Sequence, residues 1–231
     1  MTEIEFKQLA QEGYNRIPLV AQAFADLETP LSLYLKLAHV QNKGERSFLL
    51  ESVVGGERFG RYSFIGLPAR TLLRASGFGA ASQTEVVTDG VVVETHAGNP
   101  LDFVAAYQQR FKVALLEGMP RFCGGLAGYF GYDTVRHIEK KLVNSCPPDD
   151  LGMPDILLLQ TEELAVIDNL SGKLSLIVYA DPAQPDAYAQ AQARLAELKL
   201  RLKAPAIAPS IASGPSHPAE RSFAKDDYLA A

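Results

Sequence analysis

The run Glu85-Val86-Val87-Thr88-Asp89-Gly90-Val91-Val92-Val93-Glu94-Thr95 reads in one way. Asp89-Gly90 is a two-residue turn whose backbone twist suits tightly paired strands, and β-branched residues flank it on both sides, so the run is an antiparallel hairpin. Upstream, short β-branched and aromatic runs broken by glycine continue the texture: Phe48 to Val54, Tyr62 to Ile65 and Thr71 to Ala75. Downstream, Leu164 to Ile167 and Leu174 to Tyr179 flank Asp168-Asn169-Leu170-Ser171-Gly172 and form a second hairpin with a longer loop.

Helices surround these strands. Thr2 with Glu5 fits a capping box, and Gly13 is placed to stop the short helix that follows. Thr29-Pro30 pairs a cap with proline at the first helical position; Leu31, Tyr34, Leu35 and Ala38 recur at helical spacing, and Lys43-Gly44 closes the element. Asn99-Pro100 opens a third helix with Asp102 near its positive end and Phe103, Tyr107 and Phe111 one turn apart, ended by Gly118 and Pro120. Tyr188, Ala191, Leu195, Leu198 and Leu202 lie along one face of a fourth, with Glu197 and Arg201 paired on its solvent side. The fold class is α+β: an α/β-type mix in which antiparallel strands, as a sheet or sandwich, carry packed helices.

The 231 residues are 47% apolar, enough to bury a sizeable core. With 22 basic against 27 acidic side chains the net charge is −5, so no positive field exists to hold a phosphate backbone, and nucleic acid is excluded as a partner. No run of eighteen apolar residues suggests a membrane span, and the acidic start Met1-Thr2-Glu3-Ile4-Glu5 is unlike a targeting peptide. The chain reads as cytoplasmic. Cys123 and Cys146 are expected to be reduced and buried. One domain runs to residue 203. Pro205, Pro209, Pro215 and Pro218 mark residues 204–220 as a linker, and 221–231 begin a further helix with a possible cap at Ser222. That ending predicts the front part of a longer protein.

Most polar clusters read as structural. Gly124, Gly125, Gly128 and Gly131 lack the Gly-Lys-Ser/Thr of a phosphate loop and fit a close-packed strand better. Gly77 to Ser82 lacks the third glycine of a dinucleotide fingerprint and reads as a turn. His39, His96, His137 and His217 have no metal-ligand spacing. Asp149-Asp150 and Glu162-Glu163 can in principle bind magnesium, but adjacent carboxylates are usually solvated. No serine sits in a Gly-x-Ser-x-Gly elbow, and neither cysteine has a recognisable base.

Phe48-Leu49-Leu50-Glu51-Ser52-Val53-Val54 is different: a carboxylate and a hydroxyl interrupt an apolar strand, and a charge there needs a partner. Two partners are open, Arg58 or Arg61 across the turn, or a ligand ammonium. Residue types alone favour the internal ion pair.

The same stretch resembles the front half of the large subunit of anthranilate synthase, a chorismate-using lyase of tryptophan biosynthesis. Thr29-Pro30 with Tyr34, the block at 49–52, Gly60-Arg61-Tyr62-Ser63-Phe64-Ile65-Gly66, Gly124 to Tyr129 with Tyr132-Asp133, and Pro154-Asp155 leading to Val166-Ile167-Asp168 carry the likeness in order. The resemblance implies that the chorismate pocket, the magnesium-binding glutamates and the acid-base residues lie beyond residue 231, so this chain holds no catalytic residue, metal or cofactor of its own. It implies as partners L-tryptophan, the following C-terminal catalytic domain and the glutamine amidotransferase subunit, component II, with no nucleic acid and no membrane. It also implies a feedback site for tryptophan centred on Leu50, Glu51 and Ser52, in which Leu50 or Val53 lines the indole, Glu51 pairs the α-ammonium and Ser52 contacts the amino acid. Pro30 and Arg61 join its outer shell. In a regular strand Glu51 and Ser52 point to opposite faces, so both reach one ligand only at a strand end, at a bulge or through a backbone group. The nearest alternative is the matching part of aminodeoxychorismate synthase; a stand-alone amino-acid-binding module is another.

Overall fold

The computed structural model describes residues 1–39, 46–52, 60–146, 149, 151–208 and 223–230. Strands β1 (Ile17–Phe24), β2 (Phe48–Leu50), β3 (Tyr62–Gly66), β4 (Thr71–Ser76), β5 (Gln83–Thr88), β6 (Val91–Ala97), β7 (Gly125–Phe130), β8 (Ile156–Thr161), β9 (Glu163–Asp168) and β10 (Lys173–Ala180) build two five-stranded sheets. Their orders are β1-β10-β9-β3-β2 and β6-β5-β4-β8-β7, and every neighbouring pair is antiparallel. The helices are α1 (Glu3–Gln11), α2 (Pro30–Leu37), α3 (Pro100–Gln108), α4 (Ala187–Leu202) and α5 (Lys225–Ala230). This is the expected α+β mix.

Period-2 alternation divides the first sheet. Leu19, Ala165, Ile167, Leu174, Leu176 and Val178 face the helices and pack with Leu33 and Leu37 of α2 and Leu195 and Leu198 of α4. Leu164, Val166 and Ile177 point the other way, toward Phe122 and Cys123. Burial on both faces explains the nearly unbroken apolar runs of β9 and β10. The second sheet covers one face with α3 alone, through Phe103, Val104 and Tyr107 on Leu73, Val86, Ile156 and Leu158. The chain crosses between the sheets through one residue, Glu162, where β8 gives way to β9. Arg16 fastens that corner, with Nε 2.9 Å from Glu162 and Nη1 3.2 Å from Asp181.

Local chemistry accounts for the punctuation. Asp89 and Gly90 both have positive φ, 51° and 82°, the left-handed pair of a type I′ turn. Thr2 and Glu5 form the expected reciprocal cap of α1. Glu197 and Arg201 pair at 2.7 Å on α4. The glycine strand is close-packed: a Cβ on Gly128 would stand 1.9 Å from the Leu157 carbonyl oxygen, so only glycine lets β7 approach β8 there.

Several elements differ from expectation. The third helix stops at Gln108 instead of Gly118, because Lys112 and Ala114 bond along the start of β1: Asn15 N–H donates to Lys112 O at 3.0 Å and Ala114 N–H to Arg16 O at 2.9 Å. Phe111 is thus beyond the helix. The second helix ends at Leu37, and Lys43-Gly44 lies outside the described residues. Cys123 is buried, but Cys146 is exposed, since it follows a 3₁₀ turn at Lys140–Ser145 in a surface segment. Strands Ile17–Phe24 and Ile156–Thr161 carry no signal picked out above.

Candidate functional site

The site begins at the end of β2. Phe48 and Leu50 lie two residues apart, share a face and line a cavity of about 510 Å³ between the sheets. Its other walls include Phe64 on β3, Phe122, and Ala127 and Leu159 on β7 and β8. Phe64 and Phe122 meet edge to face at 5.4 Å, so the cavity is apolar and aromatic. Leu50 is 53% exposed and stands at its mouth.

β2 stops at Leu50, which places Glu51 and Ser52 just past a strand end, one of the three arrangements that let both serve one ligand. The Ser52 amide donates to Ser63 Oγ at 3.3 Å, and Asn169 Nδ2 donates to the same oxygen at 3.2 Å. Ser63 is fully buried on β3. Asn169 also reaches Gly60 O at 3.1 Å, and its amide donates to Arg61 O at 2.7 Å. The β9–β10 turn therefore holds the backbone beside the strand end.

Arg61 does not pair with Glu51. Its guanidinium grips Asp168 through Nε at 3.2 Å and Nη2 at 2.8 Å, because the β3–β9 register sets Tyr62 opposite Asp168. Those bonds, backed by the Leu170 amide, outweigh burial and hold the Asp168 carboxyl down to about 2. Arg58 and Val53 lie outside the described residues. Glu51 is exposed and forms no ion pair with a described residue. The internal ion pair favoured on residue types is thus replaced, for Arg61, by one with Asp168.

Pro30 occupies the first turn of α2, capped by Thr29 and Ser32. Tyr34, one turn on, has its hydroxyl 3.0 Å from Ser47 Oγ, just before β2, at the end of that strand away from Glu51. Ser63, Asn169 and Asp168 were quoted above only within a turn or a stretch of family likeness, not as site residues. A serine in the apolar alternation of β3 is the signal that marks Ser63; the other two depend on strand pairing. Glu162 and Glu163 do not form a joint carboxylate site: Glu162 bonds Arg16 and Glu163 bonds Arg194. Among the described residues no group of three or more His, Cys, Asp or Glu side chains is placed to hold a metal ion.

No family model matches the chain. It is 54% identical over 202 residues to anthranilate synthase component 1 of Neisseria meningitidis serogroup B, a match covering 86% of this chain and 40% of the relative. By sequence the chain belongs to the anthranilate synthase component I family. Anthranilate synthase component 1 of Pseudomonas putida is 50% identical over 235 aligned positions, 99% of this chain and 46% of the relative. Anthranilate synthase component I from Streptococcus pneumoniae TIGR4, a solved structure, overlaps 77% of this chain and 36% of its own at 23% identity, with a TM-score of 0.44. The chain spans less than half the length of the curated relatives it matches. No helix among the described residues is long and apolar enough to cross a membrane.

Proposed function

We propose that this chain is the noncatalytic, regulatory N-terminal part of anthranilate synthase component I and binds L-tryptophan at Leu50, Glu51 and Ser52. The observation that carries the reading is the Glu51 carboxylate, which has no ion pair among the described residues and lies one residue past Leu50 at the mouth of an aromatic cavity. An indole suits such walls, and a carboxylate with no cation among the described residues is a natural acceptor for an α-ammonium group. Ser52 lies next to it, on a backbone held by Ser63. Pro30 and Arg61 act at a remove, Pro30 through α2 and Arg61 by tying β3 to β9.

On this reading residues 1–203 form the regulatory domain, 204–220 a linker and 221–231 the start of a catalytic domain that binds chorismate and magnesium. The whole cytoplasmic enzyme uses ammonia delivered by its glutamine-hydrolysing component II. Feedback inhibition is then a coupling free energy: tryptophan prefers one arrangement of the two halves and lowers chorismate affinity reciprocally. This chain alone binds tryptophan weakly, because the other half completes the pocket.

Calorimetric titration of the chain with L-tryptophan tests this. Saturable binding that Glu51→Ala abolishes is expected; a folded chain that takes up no tryptophan at millimolar concentration contradicts it.

A further inference from the structure

A second cavity, of about 350 Å³, lies at the corner where the chain crosses between the sheets. Phe111, Cys123, Leu126 and Tyr179 contribute to its walls. Its inner polar groups are committed to one another. Arg16 bonds Glu162 and Asp181 and covers the Phe111 ring at 4.8 Å. Gln160 accepts from the Tyr107 hydroxyl at 2.6 Å and donates to Glu162 at 2.8 Å. Burial above all, and then the Cys123 thiol, push the Tyr179 phenol up and keep it neutral.

Arg121 breaks this pattern. It lines the same cavity, is exposed, and among the described residues has no hydrogen bond or ion pair. We infer that the cavity binds a small aromatic monocarboxylate, its ring against Phe111, Leu126 and Tyr179 and its carboxylate on the Arg121 guanidinium. The planar fork of arginine matches a carboxylate with two parallel hydrogen bonds. The volume is near the lower end for small-molecule sites, about 300 Å³, which suits a single ring with a short tail. Charge restricts the class further. Glu162 and Asp181 engage Arg16, so Arg121 is left to face a ligand, and a phosphate or dicarboxylate would bring a second negative charge toward those two carboxylates.

The site is separate from the one proposed for tryptophan: Leu50, Glu51 and Ser52 do not line it, and among the described residues only Leu126 borders both cavities. The inference therefore stands without that reading. The probes are 3-phenylpropionate and its neutral counterpart 3-phenylpropanol, titrated into the chain and followed by backbone amide NMR shifts. The acid is expected to bind with a Kd below about 1 mM and to shift the amides of residues 121–126. The alcohol is expected to bind at least about tenfold more weakly, and Arg121→Ala to reduce the acid to the level of the alcohol. Arg121 is exposed and has no partner among the described residues, so its variant keeps the melting temperature; Glu51→Ala leaves the acid's affinity unchanged. Equal affinity for acid and alcohol, an acid affinity indifferent to Arg121→Ala, or loss of acid binding in Glu51→Ala would each overturn the inference.

Discussion

Two carboxylates flank β3, one toward each neighbouring strand, and the protein treats them oppositely. On the β9 side Asp168 faces Tyr62 in register, takes a forked guanidinium from Arg61 and a backbone amide from Leu170, and is 15% exposed. On the β2 side Glu51 follows the last paired residue, is exposed, and has no cation among the described residues. A carboxylate that closes a turn and a strand pair is doing structural work. One left at the mouth of an aromatic cavity contributes little to folding and is free for a ligand. Ser63 stands between them, linking the backbone of Ser52 to the side chain of Asn169, the residue after Asp168.

The strongest test of that link is Ser63→Ala. It removes a buried acceptor for two donors, and the expected cost is about 2 kcal/mol in denaturant unfolding. A variant as stable as the parent would break the connection between the two ends. Next comes Asp168→Asn. Arg61 is 46% exposed and solvent screens the pair, so the expected loss is about 1 kcal/mol.

Acid sharpens the contrast. Because Asp168 is depressed in the folded state, its contribution is complete above the unfolded carboxyl value, near 3.8, and is lost as pH falls through about 2. The stability gap between the parent and Asp168→Asn should be constant from about pH 7 to pH 5 and shrink between about pH 4 and pH 2. A gap that closes at pH 6 would assign it to another group. The smallest effect is that of Glu51→Gln, expected to change stability by less than about 0.5 kcal/mol, as suits an exposed group with no ion pair among the described residues.

What the sequence disclosed follows the range of the forces involved. Asp89-Gly90, the Thr2-Glu5 box and the Tyr188 to Leu202 stripe act over a few residues, and each is where local chemistry puts it. Strand β1 was hidden because Pro18 lies within it; the strand is at the sheet edge, where a missing N–H is tolerated. The third helix was overestimated because Lys112 and Ala114 are claimed by residues some 97 positions upstream. The same distinction runs through the site. Leu50, Glu51 and Ser52 are legible as a polar break in an apolar run, whereas Arg61's choice of Asp168 over Glu51 depends on the β3–β9 register, spanning 107 positions.

The most direct test is to measure tryptophan affinity and melting temperature together for the parent chain, Glu51→Gln and Asp168→Asn. The prediction is a double dissociation. Glu51→Gln weakens tryptophan at least about tenfold with an unchanged melting temperature, while Asp168→Asn lowers the melting temperature and keeps affinity within about threefold. The reverse pattern, with Glu51→Gln melting early and still binding tryptophan at full strength, would make Glu51 a structural carboxylate and contradict its assignment as the ligand group.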